Sequence, residues 1–108
     1  MKTRTHLPPG PEAEADLRAL AQVLAALRDP AAVAAFLQDL CTPAELEALA
    51  DRWKVVPLLR AGEPYRAIHD RTGVSVTTIG RVARTLERGA GGYAAALATL
   101  PASDRGPR

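Results

Sequence analysis

With 108 residues, a single cysteine and a formal net charge of +2, the chain has room for one modest core and none for an internal disulfide. Cys41 alone fits a reducing compartment, and no apolar run approaches the ~18 residues of a membrane-spanning helix, so a cytoplasmic protein with no membrane partner is expected. The charge is uneven: residues 1–51 carry four basic and eight acidic side chains, residues 52–88 eight basic and three acidic, which points to a polyanion-binding face in the second half.

Taken in order, "MKTRTHLPPGPE" has basic residues with no apolar stretch behind them, unlike a secretory signal. Pro8, Pro9, Gly10 and Pro11 leave little to bury, so residues 1–11 are expected to form a flexible arm. Leu17, Leu20, Leu24 and Leu27 then recur at helical spacing in an alanine-rich background. Asp29-Pro30 reads as an N-cap followed by a proline at the first helical position, opening a short helix with Val33, Phe36, Leu37 and Leu40. "TPAE" at 42–45 is a stronger start signal, because Thr42 and Glu45 can form a capping box around Pro43. Leu46, Leu49, Trp53 and Val56 are expected to line one face of the helix that follows. Pro57 is expected to interrupt and kink it, Gly62 to end it, and Pro64 to open the next. No segment alternates with the period of a strand, so the fold class is all-α with about six helices over residues 12–100 and a disordered tail at 101–108.

The stretch "IHDRTGVSVTTIGRV" at 68–82 carries the functional signal. Tyr65 to Arg71 makes a short helix that turns Ile68 inward, Gly73 supplies a left-handed reversal, Val74 packs beneath the turn, and Ser75 caps a second helix. That helix sets Ile79, Val82 and Leu86 on one face and Thr77, Thr78, Arg81, Arg84 and Arg88 on the other. Residues 64–88 thus read as a helix-turn-helix, in which small hydroxyls near the start of the second helix approach base edges and arginines hold phosphates or guanine. Thr77, Thr78 and Arg81 are the candidates for base edges and Arg66, Arg84 and Arg88 for phosphates, with the cap residue Ser75 counted among the DNA-binding residues. An ordinary amphipathic hairpin shares this outline; the arginine cluster favours double-stranded DNA as the partner. His69 stands four residues before the turn glycine, where two closely approaching helices ordinarily need a small side chain. A structural role is expected for it, with a phosphate contact or a widened hairpin as alternatives.

Enzymatic chemistry finds no footing: there is no nucleophile–base pairing, no paired carboxylates and no metal-ligand spacing around His6 or His69. Cys41, just before the Thr42 cap, reads as a small buried residue at a helix junction. In "GAGGY", Gly89 reads as a helix stop at the position after the cap, and Gly91 and Gly92 as a tight approach to a last helix on which Tyr93, Leu97 and Leu100 share a face; the spacing matches no nucleotide-binding loop.

"DLCTPAELEALADRW", "YRAIHDRTGVSVTTIGRV" and "GAGGY", in that order, resemble the tryptophan-repressor-like family in its YerC/YecD branch, over residues 33–97. The resemblance implies an intertwined homodimer with interlocked N-terminal helices and a transcription-regulator role, as a repressor, on a near-palindromic operator. A helical module that docks a protein partner without specific DNA binding is the alternative. The resemblance also implies a possible small-molecule corepressor pocket at Thr42, Arg52, Arg81 and Thr85. Val82, at a position where the repressor proper has a glycine, and Trp53, beside Arg52, would fill such a pocket from within, which argues against tryptophan as the ligand. A core or dimer anchor is the preferred reading of Trp53.

Overall fold

The computed structural model describes residues 10–101; most of the expected arm (1–9) and of the expected tail (102–108) lies outside the described residues. Six helices and no strand make up the described residues: α1 (Pro11–Ala26), α2 (Pro30–Leu40), α3 (Pro43–Arg60), α4 (Tyr65–Thr72), α5 (Val76–Arg88) and α6 (Gly92–Ala98). None of the described helices is long and apolar enough to cross a membrane. The chain divides into two compact units, Met1–Cys41 and Thr42–Arg108.

In the first unit, α1 opens at Pro11, the last residue assigned to the arm, because a proline at the first helical position has its φ set and no N–H to leave unpaired. Glu12 and Glu14 in the first turn favour the positive end of the helix dipole. Asp29 caps α2 by accepting from the Ala31 N–H at 3.4 Å. Neither helix has a buried residue; Leu17 is 67% exposed and Leu40 52%. Cys41 ends α2 half-buried, more open than the buried junction residue expected of it.

The second unit holds the core. The capping box forms as the sequence implies: Thr42 N–H donates to Glu45 Oε1 at 2.7 Å, and Glu45 N–H donates to Thr42 Oγ1 at 3.1 Å. α3 is not interrupted at Pro57, contrary to expectation; the helix continues through it to Arg60, and the turn at Gly62 follows as expected. The proline stands one turn from the helix end, so the single hydrogen bond it deletes is followed by a strongly built stop. Gly62, at φ +84°, donates to Leu59 O at 2.9 Å, and Glu63 N–H reaches Leu58 O at 3.1 Å, the paired bonds of a Schellman motif.

Val55 and Val56 of α3, Ile68 of α4, Val74 of the turn, Ile79 and Val82 of α5 and Leu97 of α6 form the buried cluster, with Trp53, Leu58, Leu59, Leu86, Tyr93 and Leu100 packed against it. Of the face expected on α3, Val56 is buried but Leu49 is exposed, and Val55 is a core residue that the periodicity omits. The reason is geometric. α3 packs on both α4 and α5, so near its C-terminal end it buries a stripe two residues wide.

Two costs follow from this division of labour. Thr42→Ala should lower unfolding stability by about 1 kcal/mol, the usual worth of an N-cap side chain. Ile79→Ala, which empties a fully buried site, should lower it by about 2–5 kcal/mol. Urea unfolding measures both; equal losses would mean that the cap, and not the buried cluster, limits stability.

Candidate nucleic-acid interface

The hairpin is built almost wholly from short-range polar chemistry. α4 ends at Gly73, which takes φ +76°, ψ 0° and donates to His69 O at 2.8 Å. An L side chain in that conformation would be strained. Thr72 then does two jobs: its hydroxyl donates to Ile68 O at 2.7 Å and accepts from Val74 N–H at 3.1 Å. His69 Nδ1 lies 2.7 Å from Val74 O. A carbonyl only accepts, so the ring nitrogen is the donor. The expected structural role of His69 is therefore visible as a hydrogen bond across the turn. Glu63, in the loop before α4, pairs with Arg71 of its last turn.

Ser75 starts α5. Its hydroxyl accepts from Thr78 N–H at 3.1 Å and donates to Thr78 Oγ1 at 3.0 Å. Thr78 thus keeps its own hydroxyl proton available while its position is held. The helix that follows has a sharp division of faces. Ile79 and Val82 are buried, while Ser75, Thr77, Arg81, Arg84 and Arg88 are exposed and Thr78 is half-buried. Arg66 is exposed on α4. Among these four arginines and the described residues, Arg88 alone lies within 4.0 Å of a carboxylate, that of Glu87 in an exposed pair. Exposed pairs of this kind contribute little, so all four guanidinium groups are available to an anion.

A cleft of about 510 Å³ opens where two helix faces meet. Ala44, Glu47, Ala48, Asp51 and Arg52 come from α3, Thr78, Arg81, Val82 and Thr85 from α5, and Tyr93 stands at one side. Arg52, Arg81 and Thr85, three of the four expected pocket residues, line it. Thr42 does not, since its hydroxyl is engaged at the start of α3. Trp53 is also absent from the lining and packs against the core, while Val82 forms part of the wall. Glu47 and Asp51 were not singled out from the sequence, and Tyr93 was read only as part of the apolar face of the last helix. The signal for the two carboxylates was there: 44, 47, 48, 51 and 52 repeat at the 3-and-4 spacing of one helix face, and the face carrying Arg52 carries them too. Asp51 is paired with Lys54 at 3.1 Å.

Gly89 ends α5 as its cap, one position earlier than expected and in extended backbone, φ −78° and ψ −159°. Its reason for being glycine is space and not handedness: a Cβ there would fall 2.5 Å from Thr85 O and 2.9 Å from Thr85 Cγ2. Gly91, at φ +88°, supplies the left-handed step into α6.

Known proteins resemble this chain over much of its length. A protein of Bacillus subtilis (strain 168) named uncharacterized protein YerC is 45% identical over 62 residues, which are 57% of this chain and 60% of that protein. The crystal structure of a TrpR-like protein from Eubacterium eligens ATCC 27750 superposes with a TM-score of 0.72 at 33% identity, covering 81% of this chain and 93% of that one. The family model for the Trp repressor protein matches residues 15–101. Six helices, a capped helix-turn-helix and a match over most of its length make this chain a member of the Trp repressor family.

Proposed function

We propose that the chain is a DNA-binding transcriptional regulator, acting in the cytoplasm as a repressor and not as an enzyme. The observation that carries this reading is the exposed face of α5: Thr77, Arg81, Arg84 and Arg88 stand outward from a helix whose other side is locked into the core by Ile79 and Val82. Thr77, Thr78 and Arg81, at the start of α5, are assigned to base edges, Arg66, Arg84 and Arg88 to phosphates, and Ser75 to the same interface as the cap that holds Thr78 in place.

The regulator is read as a homodimer on a near-palindromic operator, with two recognition helices in successive major grooves roughly 34 Å apart. The support is the apolar surface of α1 and α2, where no residue is buried within the chain and Leu17, Val23 and Leu40 are each more than two-fifths exposed. The same surface favours a second reading, a helical module that docks a protein partner, which salt dependence separates from the first. No cofactor is assigned; the cleft lined by Arg52, Arg81 and Thr85 has room for a small-molecule corepressor, with tryptophan disfavoured. Thr78 and Arg81 belong to both the cleft wall and the base-reading set, so a ligand there would bear on DNA recognition.

Selection of genomic fragments on the purified full chain near physiological salt, with and without added amino acids, tests the reading. Enrichment of one inverted repeat is expected; no enrichment, with binding that vanishes as salt rises, would favour the protein-docking module. Arg84→Ala should weaken binding to all sequences and reduce the log–log salt slope by about one ion. An unchanged slope in a salt titration counts against its phosphate role. Thr78→Ala should change sequence preference more than overall affinity, so equal losses on selected and random DNA would contradict a base contact. Light scattering should give twice the chain mass, and Leu17→Glu should shift it towards the single chain; a wild-type monomer would remove the dimer.

A further inference from the structure

The turn residue Val74 has both of its peptide groups bound by side chains of the preceding helix. Its N–H donates to Thr72 Oγ1 at 3.1 Å, and its C=O accepts from His69 Nδ1 at 2.7 Å. Its own side chain is 4% exposed and belongs to the core cluster. The residue that joins α4 to α5 is therefore fixed at three points: one apolar, one hydroxyl, one imidazole. Thr72 is itself held by its bond to Ile68 O at 2.7 Å, and Ile68 is fully buried.

From this we infer that His69 and Thr72 are positioning residues, which clamp the Val74 peptide groups and so set the angle at which α5 is presented to DNA. The inference rests on the DNA-binding reading for its consequence, but the clamp itself is a property of the folded chain. It also fixes which nitrogen of the neutral His69 ring carries the proton. In the neutral ring one nitrogen carries the proton and the other does not, and the tautomer is decided by whatever partner each nitrogen has. Donation to a carbonyl places that proton on Nδ1 and leaves Nε2 bare. An unprotonated Nε2 cannot donate to a phosphate. In this state His69 acts on DNA through α5 and not by touching it.

Asparagine is the diagnostic replacement, because its amide nitrogen is attached to Cγ, as Nδ1 is in histidine. His69→Asn can therefore keep an N–H directed at Val74 O, whereas His69→Ala cannot. Thr72→Val removes the hydroxyl and keeps the shape. The full chain and these three variants are compared in three measurements. The ¹⁵N resonances of the His69 ring, identified by their loss in His69→Asn, should show the neutral ring protonated on Nδ1; a ring protonated on Nε2 overturns the clamp. The Val74 amide should exchange with solvent roughly fivefold to tenfold faster in Thr72→Val, as expected for one lost hydrogen bond; unchanged exchange overturns it too. On the selected DNA fragment, His69→Ala should reduce the preference over random DNA by roughly tenfold with the salt slope unchanged, and His69→Asn should restore most of it. Equal deficits in both variants, or no deficit in either, would overturn the positioning role. A slope flattened by about one ion would make His69 a phosphate contact instead. If the wild-type chain prefers no sequence at all, the proposed function fails, while ring tautomer and Val74 exchange still decide the clamp.

Discussion

Between the end of α4 and the start of α5 the chain has three residues, Gly73, Val74 and Ser75, in which to reverse, bury a side chain and begin a new helix. Everything that α5 does depends on how these are spent. A left-handed glycine ends the first helix, a buried valine anchors the crossing, and a serine fixes where the second helix begins. Fixing that start fixes the phase of α5. Successive helical residues are rotated by about 100°, so a slip of one position would carry arginines towards the core and Ile79 and Val82 towards water. The charged face is thus a consequence of the turn, and the core is what makes the turn exact enough to matter.

What the sequence made legible was mostly chemistry that acts over three or four residues. Thr42 with Glu45, Asp29 before Pro30, the glycines at 62 and 73, and Ser75 all signal through neighbours in the chain, and the helix ends fall at or within a residue of where they point. The readings that shifted depend on partners far away in sequence. Periodicity chose Val56 and missed Val55 because it had no means of knowing that α3 is covered by two helices. Pro57 looked like an interruption, but it stands one turn from the helix end and deletes a single hydrogen bond, which the helix tolerates. Arg52 and Arg81 were named as a pair, but Glu47 and Asp51 went unnoticed. Helical spacing alone puts them on the face of Arg52; what the fold adds is that this face meets α5 in the cleft. His69 was marked as out of place for its size; its value lies in a ring nitrogen aimed at a carbonyl five residues on.

The two units spend their apolar residues differently. From Thr42 onward, seven side chains are buried in one cluster, whereas α1 and α2, although rich in leucine and alanine, bury none within the chain. Twenty-seven helical residues with no interior of their own are poorly explained as a free-standing element, since isolated helices of this length gain little in water without something to pack on. α1 and α2 carry four acidic side chains, Glu12, Glu14, Asp16 and Asp39, against one basic, Arg18. A segment that is apolar on one side and acidic overall is suited to association with protein and ill suited to contact with phosphate.

Gly89 does not line the cleft, but it packs on Thr85, which does. Any residue larger than glycine there must displace the Thr85 backbone or its methyl group, and with it one side of the cavity. The width of the cleft is therefore set partly from behind, by a position that no ligand would meet. A substitution at such a position resizes the cleft without altering a single residue that faces into it, and a search confined to lining residues would overlook the change.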